Sequence, residues 1–287
     1  MSNSGSDPLV VREGAAAPSP RVKLPPQANV VNVPFDYTPS DDGTDENLLI
    51  LLHGLGDTHV PFARLGKQLK LPQTATLALR APEQIPYLYE PAFQWYESFD
   101  LLGEMLERPN PTSALELFSK VLNHLFDDCK WPCDRIHLFG FAQGGSVAAE
   151  FALKWWRTQL EKQRSNRIKP SEDAEEQQDG SELVPKALAS IVTIAGPLLS
   201  YPTIKTPCPT PLLAIHRPAP SQTSHRPDEF TALRKAFKNV SEVALPKGEG
   251  MPRSRDEWEP IMRFWSERLD RRHVEGLYEV TTGGPPR

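Results

Sequence analysis

The chain has 287 residues, of which 39% are hydrophobic and 24% are charged, and its formal net charge is −5. This length and apolar content predict one main domain with a sizeable core, and the mild acidity argues against a nucleic-acid partner. No apolar stretch approaches the roughly 20 residues that cross a bilayer, so no membrane span is predicted.

Residues 1–28 are rich in Pro, Ala and Ser and predict a disordered leader before a domain at residues 29–272. A weak alternation then predicts an edge strand at residues 30–37. The continuous apolar run at residues 48–52 predicts a strand that is buried on both faces of a parallel sheet. It ends in the glycine loop His53-Gly54-Leu55-Gly56-Asp57, and a helical pattern follows at residues 62–69.

The next segments continue the alternation of strands and helices. They predict a strand at residues 75–81, a long aromatic loop at 82–103, a helix at 112–129 and a strand at 136–140. Such alternation implies right-handed βαβ units, and therefore an α/β fold in which helices cover both faces of a mostly parallel sheet.

The strand at residues 136–140 runs into Gly140-Phe141-Ala142-Gln143-Gly144 and then into a helix that begins with small residues. A strand, a glycine turn and a helix form the setting of the G-x-S-x-G nucleophile elbow, which holds one side chain up at the edge of the sheet. Ala142 occupies the serine position. The sequence therefore predicts an elbow without the hydroxyl of its nucleophile.

The second half of the chain contains a segment, residues 159–182, with almost no large apolar side chain. We expect an exposed, largely disordered insertion there, and a charged helical extension is the alternative. The remaining predicted elements are strands at 187–194, 211–216 and 240–245 and helices at 228–237 and 256–269. Residues 273–287 end in GGPPR and predict a flexible tail.

Three cysteines favour a reducing, cytoplasmic location over a disulfide-stabilised secreted protein. Cys129 and Cys133 are four positions apart, with no second Cys or His pair nearby, so neither a metal site nor a cofactor is predicted. The sequence gives no indication of an oligomeric state.

Three segments, LLILLHGLGDT (48–58), LRAPE (79–83) and HLFGFAQGGSVA (137–148), resemble the phospholipase/carboxylesterase branch of the α/β-hydrolases in order and spacing. Acyl-protein thioesterases are the members it looks most like. The resemblance implies an α/β-hydrolase fold over about residues 48–269. It also implies that the backbone N–H groups of Leu55 and Gln143 form the oxyanion hole, with His53 fixing the loop. Alternatively, the glycines only permit tight turns.

The same resemblance implies three catalytic positions, and this chain departs from the family at each. Ala142 stands at the nucleophile, Pro220 near the position of the acid Asp, and Glu249 near the position of the base His. Because nucleophile, acid and base are all missing, we expect a chain that no longer performs acyl transfer.

Other side chains are candidates for a substitute site. Ser98 borders the predicted pocket, Glu249 is a candidate base, and Asp228 or His225 approaches from the loop after the sixth strand. Ser146 is interpreted as a helix-packing residue. The aromatic loop, with Trp95, Tyr96 and Phe99, is predicted to line a pocket for an acyl chain, unless these rings only cover the sheet edge.

Three functions are compatible with these features. The favoured one is a pseudoenzyme that binds an acyl or ester small molecule, or a protein partner, through the old pocket. The second is an active carboxylic ester or thioester hydrolase that uses substitute residues. The third is an interaction module in which the leader and the polar insertion bind partners on a hydrolase scaffold.

Overall fold

The structure of the protein is a computed structural model, which describes residues 21–86, 88–100, 102–168, 184–221 and 227–272. The strands are β1 (Phe35–Thr38), β2 (Asn47–Leu52), β3 (Thr74–Leu79), β4 (Glu83–Gln84), β5 (Phe93–Gln94), β6 (Ile136–Phe141), β7 (Ser190–Ile194), β8 (Leu212–His216) and β9 (Val240–Ala244). The helices are α1 (Ala28–Val31), α2 (His59–Leu69), α3 (Thr112–Asp127), α4 (Gln143–Ile168), α5 (Pro227–Ala236) and α6 (Arg255–Ser266).

Seven strands form one sheet in the order β1-β3-β2-β6-β7-β8-β9. β1 runs antiparallel to β3, whereas the other neighbouring pairs are parallel. Leu52 at the end of β2 lies opposite Gly140 near the end of β6. The loops that follow these two strands therefore begin side by side at one edge of the sheet, where α/β folds commonly bind ligands. The predicted mostly parallel sheet is confirmed.

Two apolar clusters cover the two faces of the sheet. In β2, Leu48 and Ile50 belong to the cluster that packs against α3, α4 and α5. Leu49 and Leu51 belong to the opposite cluster, which packs against α2 and α6. Because helices cover both faces, β2, β3 and β7 are buried at every position instead of alternating between buried and exposed residues.

The chain before β1 differs from the predicted strand at residues 30–37. Ala28–Val31 forms one helical turn, which ends at Asn32 with a left-handed φ of 55°. Val31 is completely buried. The apolar alternation therefore reflects the docking of a helical turn followed by a shorter strand that begins at Phe35.

Part of the predicted leader also belongs to the domain. The Arg21 N–H donates to the Gly43 carbonyl oxygen at 2.9 Å, and the Gln27 N–H donates to His124 Nε2 at 2.9 Å. These contacts attach residues 21–28, which the sequence assigns to the leader, to the domain. The first 20 residues of the predicted leader lie outside the described residues.

Helix α4 also continues farther than predicted. It ends at Ile168, so residues 159–168 of the predicted insertion are helical. These residues are mostly good helix formers, and Leu160 packs partly against the core. The rest of the predicted insertion and the predicted tail, residues 273–287, lie outside the described residues. None of the described helices is both long enough and apolar enough to cross a membrane.

Candidate active site

The turn between β6 and α4 crowds its own backbone and that of β2. A Cβ atom at Gly144 would lie 2.4 Å from the Leu52 carbonyl oxygen, and one at Gly140 would lie 2.3 Å from the Gly144 carbonyl oxygen. Both positions therefore require glycine. Ala142, between them, has a φ of 47°, a left-handed backbone that is uncommon without glycine. This strained turn has the geometry that the elbow motif predicts.

The glycine loop after β2 packs against the elbow. Leu55 and Gly56 are the central residues of a turn in which the Asp57 N–H donates to the Gly54 carbonyl oxygen at 3.4 Å. The φ of 81° at Gly56 indicates a type II turn. A Cβ atom at Gly54 would lie 2.8 Å from the Phe141 ring, so the loop touches the end of β6. The structure therefore brings the Leu55 loop and the Gln143 turn together.

Two backbone donors at this edge have no acceptor among the described residues. Within the described ranges, no group accepts a hydrogen bond from the Leu55 N–H. Gln143 is the first residue of α4, and the N–H groups in the first turn of a helix have no partner inside the helix. Both groups are therefore available to a ligand oxygen.

His53 fixes the base of the glycine loop. It is completely buried, and its Nε2 accepts a hydrogen bond from the Ala81 N–H at 2.9 Å. Nδ1 must then carry the proton, which it donates to the Gly54 carbonyl oxygen at 2.7 Å. Burial lowers the pKa of His53, against the opposing effect of the Gly54 contact. With both nitrogens engaged, a neutral His53 matches the predicted loop-fixing role rather than that of a base.

The side chain of Gln143 holds the aromatic loop over the elbow. Its Oε1 accepts a hydrogen bond from the Trp95 N–H at 2.8 Å, and its Nε2 donates to the Tyr96 carbonyl oxygen at 2.9 Å. The same Nε2 donates to Ser98 Oγ at 2.7 Å. These three bonds were not predicted, because they join residues almost 50 positions apart that nothing in the sequence pairs.

The aromatic side chains divide between the core and the surface. Trp95 is 0% exposed and Tyr96 is 5% exposed, and Trp95 Nε1 donates to the His53 carbonyl oxygen at 2.8 Å. In this structure the Trp95 ring covers the sheet edge and has no exposed surface, which favours the alternative interpretation of the aromatic loop, and the ligand contact of Trp95 stays a prediction. Phe99 is 47% exposed.

The positions predicted for the acid and the base lie in two exposed loops that touch each other. Pro220 follows β8, and Glu249 precedes α6. Next to Pro220, Ser221 Oγ donates to Glu249 Oε2 at 2.8 Å. The fold thus brings these two loops together, as a catalytic acid and base would require, but the described residues at the two positions are proline and glutamate.

Arg217, which follows β8 directly, ties these loops in a way that the sequence did not predict. It is 2% exposed, and its two terminal nitrogens each donate to one Glu257 oxygen at 3.0 Å. Other N–H groups of the guanidinium donate to the carbonyl oxygens of Pro246, Gly250 and Met251 at 2.8 to 3.2 Å. The available signal in the sequence was a charged residue directly after an apolar strand, because a charge that is buried there needs a partner.

This ion pair changes the chemistry of Glu257. Hydrogen bonds from Arg217 and from the Arg253 N–H lower the pKa of the Glu257 carboxyl to about 2. The carboxylate is therefore ionised at neutral pH and fully occupied by its donors, so it is not available as a general base.

The two serines among the candidate substitutes have no histidine or carboxylate among their described hydrogen-bond partners. Ser98 Oγ accepts a hydrogen bond from an amide, which does not activate it as a base would. Ser146 is 1% exposed, in agreement with its predicted packing role. Asp228 is exposed in the first turn of α5, and His225 lies outside the described residues.

Apart from His53, the described histidines contact partners away from the elbow. The described acidic residues, cysteines and histidines include no group of three that could hold a metal ion. The four contacts are His59 with Asp36, His124 with Asp128, His137 with Ser190, and His216 with Glu242.

Comparisons with known proteins agree with this architecture. The sequence profile of the phospholipase/carboxylesterase family matches residues 37–161. The uncharacterized hydrolase UM10204 of Mycosarcoma maydis is 35% identical over 243 residues, which are 81% of this chain and 80% of that protein. Two solved structures match with 83% of this chain: esterase PE8 (TM-score 0.64, 18% identity, 99% of that chain) and acyl-protein thioesterase 2 of Zea mays (TM-score 0.59, 20% identity, 100% of that chain).

Proposed function

We propose that this chain is a non-catalytic protein that binds an acyl or ester ligand at its elbow. The proposal proceeds from its family, because the chain belongs to the phospholipase/carboxylesterase family of α/β-hydrolases. Its three cysteines are free and buried, which supports the proposed cytoplasmic location. Binding of a protein partner at the same edge is the alternative that the experiments below distinguish.

The observation that carries the proposal is the elbow itself. The turn retains its glycines and its left-handed φ of 47° at the tip, but the side chain there is the methyl group of Ala142. Acyl transfer needs a nucleophile and a base, whereas binding of an oxygen needs only donors that the backbone supplies. The Arg217–Glu257 pair further ties the loops at the acid and base positions into a structural contact.

The ligand class follows from the donors at the sheet edge. The N–H groups of Leu55 and Gln143 are proposed to bind one oxygen of a carboxylate or ester, as an oxyanion hole would. The contact of the glycine loop with Phe141 supports this proposal, because it places the two turns in direct contact.

A turnover experiment tests the loss of catalysis. The unmodified chain should hydrolyse p-nitrophenyl butyrate and an acyl thioester no faster than the buffer blank. Ala142→Ser alone should restore little, because removing any member of a triad already costs several orders of magnitude. The decisive comparison adds Pro220→Asp and Glu249→His, with and without Arg217→Gly, because Arg217 binds the loop that must carry the base.

The outcomes separate the functional hypotheses. Robust turnover by the unmodified chain would overturn the proposal in favour of a hydrolase with substitute residues. A large gain from Ala142→Ser alone would reveal an acid and a base elsewhere in the chain. Thermal unfolding of each variant controls for loss of the fold.

A backbone substitution tests ligand binding. Leu55 is the second residue of a type II turn, a position at which proline is favoured, so Leu55→Pro should keep the turn and remove only the N–H. Leu55→Ala is the matched control, because it removes the side chain and keeps the N–H. In calorimetric titrations with octanoate, we expect Leu55→Pro to weaken binding about tenfold, the typical effect of losing one hydrogen bond to a charged group.

The result for octanoate decides between ligand and partner. Equal binding by the two Leu55 variants would argue against the backbone donors. Absence of octanoate and ester binding in the unmodified chain would leave a protein partner as the function of this edge and would refute the small-molecule proposal.

A further inference from the structure

A cavity of about 690 Å³ lies at the edge of the sheet opposite the elbow. It is formed where β2 and β6 begin, whereas the elbow lies where they end, so one strand length of roughly 20 Å separates the two places. Its lining is almost entirely charged and comes from four segments: Arg21, Val22, Lys23, Asp45, Glu46, Arg135, Asp270, Arg271 and Arg272. The volume is typical of a small-molecule site, about 300 to 1,000 Å³.

The wall of the cavity after α6 is held in place by two amide side chains. Asn47 Nδ2 donates to the Asp270 carbonyl oxygen at 2.8 Å, and Asn47 Oδ1 accepts from the Asp270 N–H at 3.0 Å. Gln73 makes the same reciprocal pair with Arg272, at 3.1 Å and 2.7 Å. Arg271 lies between these two fixed residues, so its backbone is positioned on both sides.

The acidic residues of the cavity are already occupied by the protein. Asp45 is 3% exposed and accepts hydrogen bonds from the Lys23 and Ser40 N–H groups at 2.8 and 2.9 Å. Asp270 forms an ion pair with Arg135, and Glu46 Oε1 lies 3.7 Å from a terminal nitrogen of the Arg272 guanidinium. The negative charges that line the cavity are therefore each matched by donors from the chain itself.

Two arginines at the cavity keep their charge unmatched. Both Arg21 and Arg271 are exposed, and across the described part of the chain neither guanidinium forms an ion pair or a side-chain hydrogen bond. The Arg21 backbone is fixed, because its carbonyl oxygen accepts the Asp45 N–H at 3.0 Å. Two arginines with positioned backbones, and with no side-chain partner among the described residues, thus line one cavity in a chain whose net charge is −5.

We propose that this cavity is a binding site for a phosphate-bearing small molecule, with Arg21 and Arg271 as its anion ligands. Guanidinium groups bind phosphate oxygens through paired N–H donors, and two of them match a doubly charged phosphate group. The concave shape, with walls from four segments, suits a compact ligand. The site is separate from the elbow and does not depend on the function proposed there.

The test uses inorganic pyrophosphate and the full chain. We expect saturable binding by calorimetry at low ionic strength, weakening as salt screens the charges. Arg21→Gln together with Arg271→Gln should lower the affinity at least about tenfold, since two charged contacts are lost. The matched control, Arg64→Gln with Lys120→Gln, removes two exposed positive charges from α2 and α3 and should leave the affinity unchanged.

A second arm identifies the source of the phosphate group. Co-sedimentation with phosphatidylcholine vesicles that contain phosphatidylinositol 4-phosphate is measured for the same three proteins. Vesicle binding that needs both arginines would support the site with a lipid headgroup as its phosphate, and pyrophosphate binding alone would support a soluble compound. Equal losses in the cavity variant and the control variant, or no binding of either probe, would overturn the proposal.

Discussion

The methyl group of Ala142 sits on a backbone conformation that costs an L-residue about 1 kcal/mol or more relative to a right-handed one. The chain adopts this conformation, with φ of 47°, although the side chain at the tip of the turn is only a methyl group. The neighbouring contacts of Gly140 and Gly144 explain why, because they fix the path of the chain between β6 and α4. The packing of the turn therefore accounts for the strain at Ala142.

A substitution measures that strain directly. Ala142→Gly should raise the free energy of unfolding by about 0.5 kcal/mol, because relief of the left-handed conformation exceeds the added entropy of the unfolded chain. Ala148→Gly, in the interior of α4, is the control and should lower stability by about 1 kcal/mol or more. Urea unfolding reports both, and a destabilised Ala142→Gly would contradict the strain at this position.

The Arg217–Glu257 pair predicts a dependence of stability on acid. The folded-state pKa of Glu257 lies at about 2, below its ordinary value of 4.5, so the pair stabilises the fold fully above about pH 4.5. That stabilisation is lost as the pH falls from about 4.5 to about 2. Glu257→Gln should flatten this part of the stability curve and, at neutral pH, cost about 3 kcal/mol by leaving a buried guanidinium unpaired.

Glu259→Gln is the control for that experiment, because Glu259 forms an exposed pair with Arg263 one helical turn away. Exposed pairs contribute between about 0 and 1 kcal/mol, so this variant should keep the acid limb of the curve. Identical acid limbs for the Glu257→Gln variant and the unmodified chain would refute the assignment.

The residues of the site divide by how far they could be predicted from the sequence. Ala142 and Leu55 stand in local motifs of glycine turns, which a short segment specifies by itself, so their positions in the fold follow from the sequence. The bonds of Gln143 to the aromatic loop and of Arg217 to Glu257 join segments 40 or more positions apart. Such contacts depend on tertiary packing, which no local pattern encodes.

Strands and helices with a strong apolar pattern could be predicted from the sequence, whereas segments with a weak pattern could not. The apolar runs of β2 and β6 and the helical spacing of α6 identify their elements without tertiary information. The segment before β1 is short and its alternation is weak, so docking of Val31 and the Gln27–His124 contact decide its structure. For the extension of α4 the sequence favours disorder over the alternative, a charged helical extension, because helix propensity without an apolar face is a poor signal. The structure shows the helical alternative for residues 159–168.

The hydrogen bond between Gln27 and His124 of α3 predicts that two substitutions of Gln27 differ in their effect on stability. His124 Nε2 accepts from the backbone N–H of Gln27, while His124 Nδ1 contacts Asp128 Oδ2 at 2.6 Å. Gln27→Pro removes this N–H and should destabilise the protein by about 1 to 2 kcal/mol, because it leaves a buried nitrogen without a donor. Gln27→Ala keeps the N–H and should stay within about 0.5 kcal/mol of the unmodified chain by urea unfolding. Equal effects would show that the side chain, not the backbone, makes the contact.

At the scale of the whole molecule, helices on both faces of the sheet bury the side chains of its central strands. His137, on β6, is 0% exposed and its Nδ1 contacts Ser190 Oγ at 2.7 Å. Burial, with a smaller effect of the Arg135 charge, lowers the pKa of His137 to about 3. Burial also lowers the pKa of His53 at the base of the glycine loop. Both imidazoles are therefore neutral in the folded protein at pH values where the unfolded chain binds their protons.

The consequence is a loss of stability that begins well above the range in which Glu257 titrates. Because the folded-state pKa of His137 lies at about 3, below the ordinary 6.5, the unfolded chain takes up this proton first, and stability falls below about pH 6.5 by up to about 1.4 kcal/mol per pH unit. The lowered pKa of His53 acts in the same direction. Urea unfolding at pH 7.5, 6.0 and 5.0 should show the decline. His137→Gln should reduce the slope of the free energy of unfolding against pH by the equivalent of about one bound proton. Ser190→Ala removes the partner hydroxyl but keeps the imidazole, so it should lower stability by a similar amount at every pH. Parallel curves for the His137→Gln variant and the unmodified chain would mean that His137 takes up its proton in the folded sheet.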